Sequence, residues 1–152
     1  MYNQEKGVFM KLLLINGPNL NMLGTREPEK YGNITLDEIE SKLKEYAKTL
    51  SCELDVFQSN HEGEIIDKIQ QSTSYDGAMI NAGGYTHTSV AIRDAISSVK
   101  TPFVEIHMTN IHSREEFRHI SLLSAVCIAQ VIGFKENSYF LALKGLVDYL
   151  KQ

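Results

Sequence analysis

The chain has 152 residues, enough for one domain that buries roughly two thirds of its unfolded surface. Hydrophobic residues at 43% and charged residues at 22% are ordinary for a globular protein, and a net charge of -4 leaves no basic footprint for nucleic acid. No segment has the apolar length to span a membrane, Met1 to Gly7 lacks the apolar stretch of a signal peptide, and the isolated Cys52 and Cys127 fit a reduced, cytoplasmic setting.

Residues 1–9 are expected to be a disordered N-terminal extension that takes no part in the chemistry, and residues 10–152 a single domain. Leu12 to Asn16 is a continuous apolar run closed by Asn-Gly-Pro, the pattern of a strand buried on both faces of a parallel sheet. The stretch that follows, to Gly32, holds two prolines and three glycines and is expected to be neither strand nor helix. A connection this long is expected to work as a lid or binding loop; the alternative is a solvated surface loop. It carries Arg26 and the isolated Tyr31. Thr35-Leu36-Asp37-Glu38 reads as a capping box, and Leu36, Ile39, Leu43, Tyr46, Ala47 and Leu50 recur behind it at helical spacing. A second strand spans 53–58 and ends in the polar tip Ser59-Asn60. A helix over 64–72 places Ile65, Ile66 and Ile69 on one stripe.

Gly77 to Asn81 predicts a third strand, breaking at Asn81-Ala82-Gly83-Gly84. His87 to Val99 predicts a helix with Val90, Ala91, Ala95 and Ile96 inward. Pro102 to His107 is a fourth strand, opened by a tolerated proline. Ser113 to Arg118 reads as a short helix with Ser113 as N-cap. Val126 to Gly133 is a fifth strand and Ser138 to Leu150 a closing helix. Strands alternating with helices over short connections specify an α/β fold: a flavodoxin-like three-layer sandwich around a five-stranded parallel sheet. Four strand tips rich in Asn, Gly or His are then expected to converge on one rim as a site for a polar ligand.

The chain has eleven lysines but only four arginines, of which Arg26, Arg114 and Arg118 flank that rim. A guanidinium fork suits a carboxylate or polyol. On a helix Arg114 and Arg118 would share one face, though that is also the pattern of a solvated face paired to Glu115 and Glu116. Glu105 and His107 leave the same face of a strand; a buried glutamate needs a partner, and the pair is either a general acid with its support or a satisfied structural histidine. His87, at a loop-to-helix junction, either helps an anion site or caps locally. His112 and His119 read as surface residues. No HxxxH or HExxH spacing occurs, so no metal is expected. Tyr31 is a base only if cations depress its phenol, and an aromatic anchor otherwise.

Ile15-Asn16-Gly17-Pro18-Asn19-Leu20, Arg26-Glu27-Pro28, Tyr31-Gly32, Asn81-Ala82-Gly83-Gly84, His87-Thr88-Ser89, Glu105-Ile106-His107-Met108-Thr109-Asn110 and Arg114-Glu115-Glu116-Phe117-Arg118 occur in this order. Together they closely resemble the type II 3-dehydroquinate dehydratases of the shikimate pathway, from about Met10 to the C-terminus. The resemblance implies a flavodoxin-like catalytic domain that converts 3-dehydroquinate to 3-dehydroshikimate through an enolate, without cofactor or Schiff base. It implies Tyr31 as the base at C2, held as phenolate by Arg26 and Arg114. Asn19 would position the water on the enolate oxygen, and His107, supported by Glu105, would protonate the leaving hydroxyl. Asn81, the Met108 backbone and Thr109 would hold the substrate carboxylate. His87 and Arg118 would hold the ring hydroxyls, with Asp94 reaching in from a neighbouring subunit of a homo-oligomer, a dodecamer built from trimers.

Two departures stand out. Thr109 replaces the serine of many members and keeps the hydroxyl. His119-Ile120-Ser121-Leu122-Leu123 replaces a His-Ser-Tyr run, so a tyrosine that would serve local packing or a subunit contact is missing. Three rival readings fare worse. A phosphoryl-accepting receiver needs acidic residues where Asn16, Asn19 and Asn81 stand, and a nucleotide-binding module needs GxGxxG or GxxxxGK[ST], which are absent. A catalytically dead relative would not be expected to retain Tyr31, Arg26, His107 and Glu105 together.

Overall fold

The structure, a computed structural model, describes residues 9–25, Glu29 and residues 32–152. A five-stranded sheet forms the middle layer: β1 (Met10–Asn16), β2 (Cys52–Gln58), β3 (Gly77–Asn81), β4 (Phe103–His107) and β5 (Ala129–Ile132). All pairs are parallel and the order is β2-β1-β3-β4-β5, the flavodoxin-like arrangement. Four longer helices cover it among the described residues: α1 (Leu36–Thr49), α2 (Glu62–Gln71), α3 (Val90–Ser98) and α4 (Asn137–Leu150).

Alternation along the strands decides which helix meets which face. Leu12, Leu14, Met79, Val104 and Ile106 point toward α1 and α4, packing on Ile39, Leu43, Leu143 and Val147. Leu13, Ile15, Ala78, Ile80 and Phe103 point the other way, onto Ile65 and Ile69 of α2 and Ile92 and Ile96 of α3. The helix with the expected capping box has it in full: Thr35 Oγ1 accepts from the Glu38 N–H while the Glu38 carboxylate accepts from the Thr35 N–H.

Several expectations shift. The helix placed over 87–99 begins at Val90, capped by the Ser89 hydroxyl, because residues Gly83–His87 close a 3-10 turn first. That start turns Val90 (58% exposed) and Ala91 outward and leaves Ile92, Ala95 and Ile96 as the buried face. The helix expected at 113–118 is two 3-10 turns instead, Ile111–Ser113 and Glu116–Arg118, with Arg114 extended between them. Asn110, not Ser113, caps the first turn. The fifth strand is shorter than expected, Ala129–Ile132, and lies half-exposed at the sheet edge.

The rim over the carboxyl ends of β1 and β3 is where the chain reverses direction across the sheet. Backbone meets backbone there: the Gly17 N–H donates to the Asn81 carbonyl at 2.7 Å. A Cβ on residue 17 would lie 2.6 Å from the Ala82 carbonyl oxygen. Gly17→Ala is therefore expected to lower stability by roughly 1–3 kcal/mol, the usual cost of an overpacked site. Urea unfolding checks this, and an unchanged midpoint would mean the two loops can separate freely.

Candidate active site

A cleft opens at that rim, between β1, β3 and β4, as open parallel sheets predict at their switch point. From the end of β1 come Pro18 and Asn19; from the end of β3, Asn81, Gly83 and Gly84. His87 follows on the 3-10 turn after β3. His107, Met108 and Thr109 come from the end of β4, and Arg114 and Arg118 from the turns beyond it. Nine of the sequence-predicted site residues thus share one cleft or the layer under it, Glu105 being the one below. The tip of β2, expected to join them, does not line the cleft. It braces instead: the Asn60 side chain accepts from the Asn19 N–H at 3.0 Å, and Gln58 donates to the Gly17 carbonyl at 3.2 Å. Asn19 itself is held at φ 70°, a left-handed conformation that asparagine tolerates. Arg26 and Tyr31 lie outside the described residues. Asp94 is 68% exposed on α3, paired loosely with Arg93, and does not line the cleft of its own chain.

Glu105 is wholly buried in β4 and is the electrostatic centre of the site. His107 Nε2 donates to its Oε2 at 2.5 Å, the Ser121 hydroxyl donates to the carboxylate at 2.8–2.9 Å, and Gln130 Nε2 donates at 3.0 Å. Burial alone would raise the carboxyl's pKa. The hydrogen bonds from His107, Gln130 and Ser121 outweigh it and hold the group below its ordinary value. With Nε2 committed to Glu105, His107 Nδ1 is the nitrogen left for the cleft. Ser121 and Gln130 are site-supporting residues that the sequence reading did not single out.

His87 stacks near His107, ring centroids 6.3 Å apart, and its Nδ1 meets the Ile120 carbonyl at 2.8 Å. A carbonyl requires a donor, so Nδ1 carries the proton. Burial, with His107 and Arg118 close by, pushes the imidazole below its ordinary value. Neutral His87 thus keeps Nε2 as an acceptor, suited to a hydroxyl. Arg118 is held by Glu115 at 2.7 Å, while the Arg114 Nε lies 3.9 Å from the same carboxylate. The pairing with Glu115 and the placement in the cleft coexist, since both arginines line it. His112 and His119 are exposed, as expected.

The departure at 119–123 is accommodated. Ser121 reaches Glu105 and the Leu122 N–H donates to the Thr86 carbonyl. Burial, with Glu105 nearby, pushes the Cys127 thiol up to about 12, which favours the thiol over the thiolate. Among the described residues no group of three or more His, Cys, Asp or Glu is placed to hold a metal ion, and no helix is long and apolar enough to cross a membrane.

Because the native pKa of Glu105 is lowered, the stability it contributes is complete above its ordinary value of 4.5 and is lost as pH falls through the lowered native value. The stability gap between the wild type and Glu105→Gln should be widest near neutrality and shrink on acidification below 4.5. Denaturant unfolding across pH measures it, and a gap independent of pH would remove the buried carboxylate from the acid response.

Residues 10–147 match the family model described as dehydroquinase class II. The 3-dehydroquinate dehydratase of Prochlorococcus marinus subsp. pastoris is 59% identical over 142 residues, covering 93% of this chain and 97% of that protein. The 3-dehydroquinate dehydratase of Geotalea daltonii is 49% identical over 144 residues, covering 94% and 100%. The crystal structure of type II dehydroquinase from Butyrivibrio crossotus superposes with a TM-score of 0.90 at 48% identity, over 92% of this chain and 99% of that one. A polar cleft at the β1/β3 switch, a family match over nearly the whole chain and these relatives agree: the chain belongs to the class II dehydroquinases.

Proposed function

We propose that the cleft binds 3-dehydroquinate and that the chain eliminates water from it through an enolate, with Tyr31 as base and His107 as acid. Membership of the family makes the chain a 3-dehydroquinate dehydratase, a hydro-lyase. The observation that carries the residue assignment is the His107–Glu105 pair, one imidazole nitrogen fixed by a buried carboxylate and the other left for the cleft.

The substrate's C2 hydrogens are acidified by the C3 ketone. Tyr31, kept as phenolate by Arg26 and Arg114, takes one of them, and the electron pair moves onto the ketone oxygen as an enolate. A water held by Asn19 stabilises that oxygen. When the enolate collapses, its electrons form the C1–C2 double bond and the C1–OH bond breaks. His107 as imidazolium, steadied by the Glu105 carboxylate, gives its Nδ1 proton to the departing hydroxide, and water leaves. The product is the conjugated enone acid 3-dehydroshikimate.

Asn81, the Met108 backbone and Thr109 hold the C1 carboxylate. They adjoin one another at the ends of β3 and β4, with Arg114 and Arg118 supplying positive charge beside them. Neutral His87 accepts from a ring hydroxyl through Nε2, and Arg118 donates to another. No cofactor is required by this route. In our reading the chain is a homo-oligomer, a dodecamer built from trimers, in which Asp94 completes the hydroxyl contacts of a neighbour's cleft. Its exposure and its absence from its own cleft support that role.

A continuous ultraviolet assay with 3-dehydroquinate, before and after borohydride, tests the route. Turnover should survive borohydride; its loss would mean a lysine imine and would discard the enolate reading. Tyr31→Phe should nearly abolish turnover while preserving ligand binding, and His107→Ala should lower kcat by about 10²–10⁴-fold, the usual range for a lost acid or base. A near-normal rate in either variant would strip that residue of its role. Light scattering should give a particle of about twelve 17.1 kDa chains, and a monomer with full activity would exclude Asp94 from the neighbouring site.

A further inference from the structure

We propose that Tyr139 is a positioning residue for the dehydration, its buried phenol setting which way the Asn81 carboxamide faces the cleft. The inference rests on the reading above that Asn81 holds the substrate carboxylate.

Asn16 and Asn81 are the last residues of β1 and β3 and are partners in the parallel register. Both are buried, at 0% and 4% exposure. Tyr139, at the start of α4 and wholly buried, meets both side chains. Its hydroxyl donates to Asn16 Oδ1 at 2.7 Å and accepts from Asn81 Nδ2 at 2.9 Å. The Asn81 Oδ1 in turn accepts from the Gly83 N–H at 3.2 Å. At the far end, Asn16 Nδ2 donates to Glu40 Oε1 at 3.4 Å.

These bonds all run in one direction. A carboxylate only accepts, so Glu40 turns the Asn16 amide with its nitrogen outward and its oxygen toward Tyr139. The phenol has one proton and spends it on that oxygen. It is then left as an acceptor, which draws the nitrogen of Asn81 rather than its oxygen. Burial pushes the phenol's pKa up, so the proton stays in place at working pH. Asn81 therefore keeps its second N–H hydrogen for an acceptor in the cleft, the right polarity for a carboxylate. A turned amide would offer its oxygen to that anion.

The phenol does not reach the cleft surface, so its action on substrate passes through Asn81. Losing it leaves Asn81 Nδ2 and Asn16 Oδ1 without their buried partner and releases the amide to tilt.

Steady-state kinetics with 3-dehydroquinate on Tyr139→Phe, Asn81→Ala and the double variant test the proposal, with circular dichroism to establish folding. Tyr139→Phe should raise KM roughly tenfold, the scale of one mis-set hydrogen bond, while kcat moves less than about threefold, because uniform binding is what is lost. In the Asn81→Ala background it should leave KM unmoved, since nothing remains to orient. A lowered melting temperature with unchanged KM would overturn the proposal and leave Tyr139 as core packing. An equal rise in both backgrounds would also overturn it, while leaving Asn81 as a substrate contact. Asn81→Ala with an unchanged KM would instead bring down the reading of Asn81 itself, and the relay with it. If Tyr139→Phe does not fold, Glu40→Ala at the half-buried end decides. It should raise KM about threefold in the wild type and not at all beside Asn81→Ala, and an unchanged KM overturns the relay.

Discussion

The site is built around one buried charge. Glu105 lies at zero exposure in a central strand, where an unpaired carboxylate would cost many kcal/mol and would protonate rather than remain charged. Its donors come from three places: His107 two residues on, Ser121 in the loop beyond, and Gln130 in the neighbouring strand. Ser121 does more than donate, since its oxygen also accepts from the N–H groups of Leu123 and Ser124. The segment from His107 to Ser121 is therefore an arch with both feet tied to the same carboxylate. Arg114 and Arg118 hang from that arch over the cleft. A single ionised group thus fixes the proposed acid and, through the arch, two of the cations that would hold an anionic substrate.

The other wall of the cleft depends on close approach rather than charge. Gly17 and Gly83 let the loops after β1 and β3 touch backbone to backbone, and Gly83 does so at a φ of +57°, where a side chain would be strained. This contact brings Asn19 and Asn81 to the same opening. Beneath this wall Tyr139 of α4 ties the ends of β1 and β3 together through Asn16 and Asn81. The geometry of the cleft is consequently a property of the sheet and its covering helix, and the loops add side chains to a mould already made.

What the sequence disclosed follows from how local each signal is. The capping box at Thr35, the apolar run of β1 and the Asn-Gly breaks at strand ends are written within a few residues, and each appears where expected. The same locality misleads at 113–118. Ser113 with Glu116 imitates a helix start, and the two arginines repeat at helical spacing. Yet Asn110 takes the cap, and the Arg114 carbonyl is drawn off to the His119 ring, so the backbone extends. Val90 and Ala91 were misplaced for a similar reason, because the cap at Ser89 sets the helical phase and apolar content alone does not. Ser121 and Gln130 left no local trace: a buried glutamate announces that it needs donors, but partners 16 and 25 residues away carry no periodicity to betray them. Tyr139 had the opposite disguise, an aromatic on an apolar helix that reads as packing.

The paired imidazoles show why the arrangement separates two tasks that one residue type would otherwise confuse. His87 and His107 lie with centroids 6.3 Å apart, close enough that two cations would repel across a partly dry cleft. Only one has a carboxylate; the other is given a carbonyl, is half-desolvated, and is pushed toward the neutral form by burial and by its neighbour. Charge on His107 further discourages charge on His87. The environment therefore gives two identical side chains different partners, an anionic one for His107, the proposed acid, and a neutral one for His87, the proposed hydroxyl acceptor, and such a division is what separate acid and binding roles would need. Exchange the partners, a carbonyl for His107 and a carboxylate for His87, and the proposed acid and the proposed acceptor would trade places across the cleft.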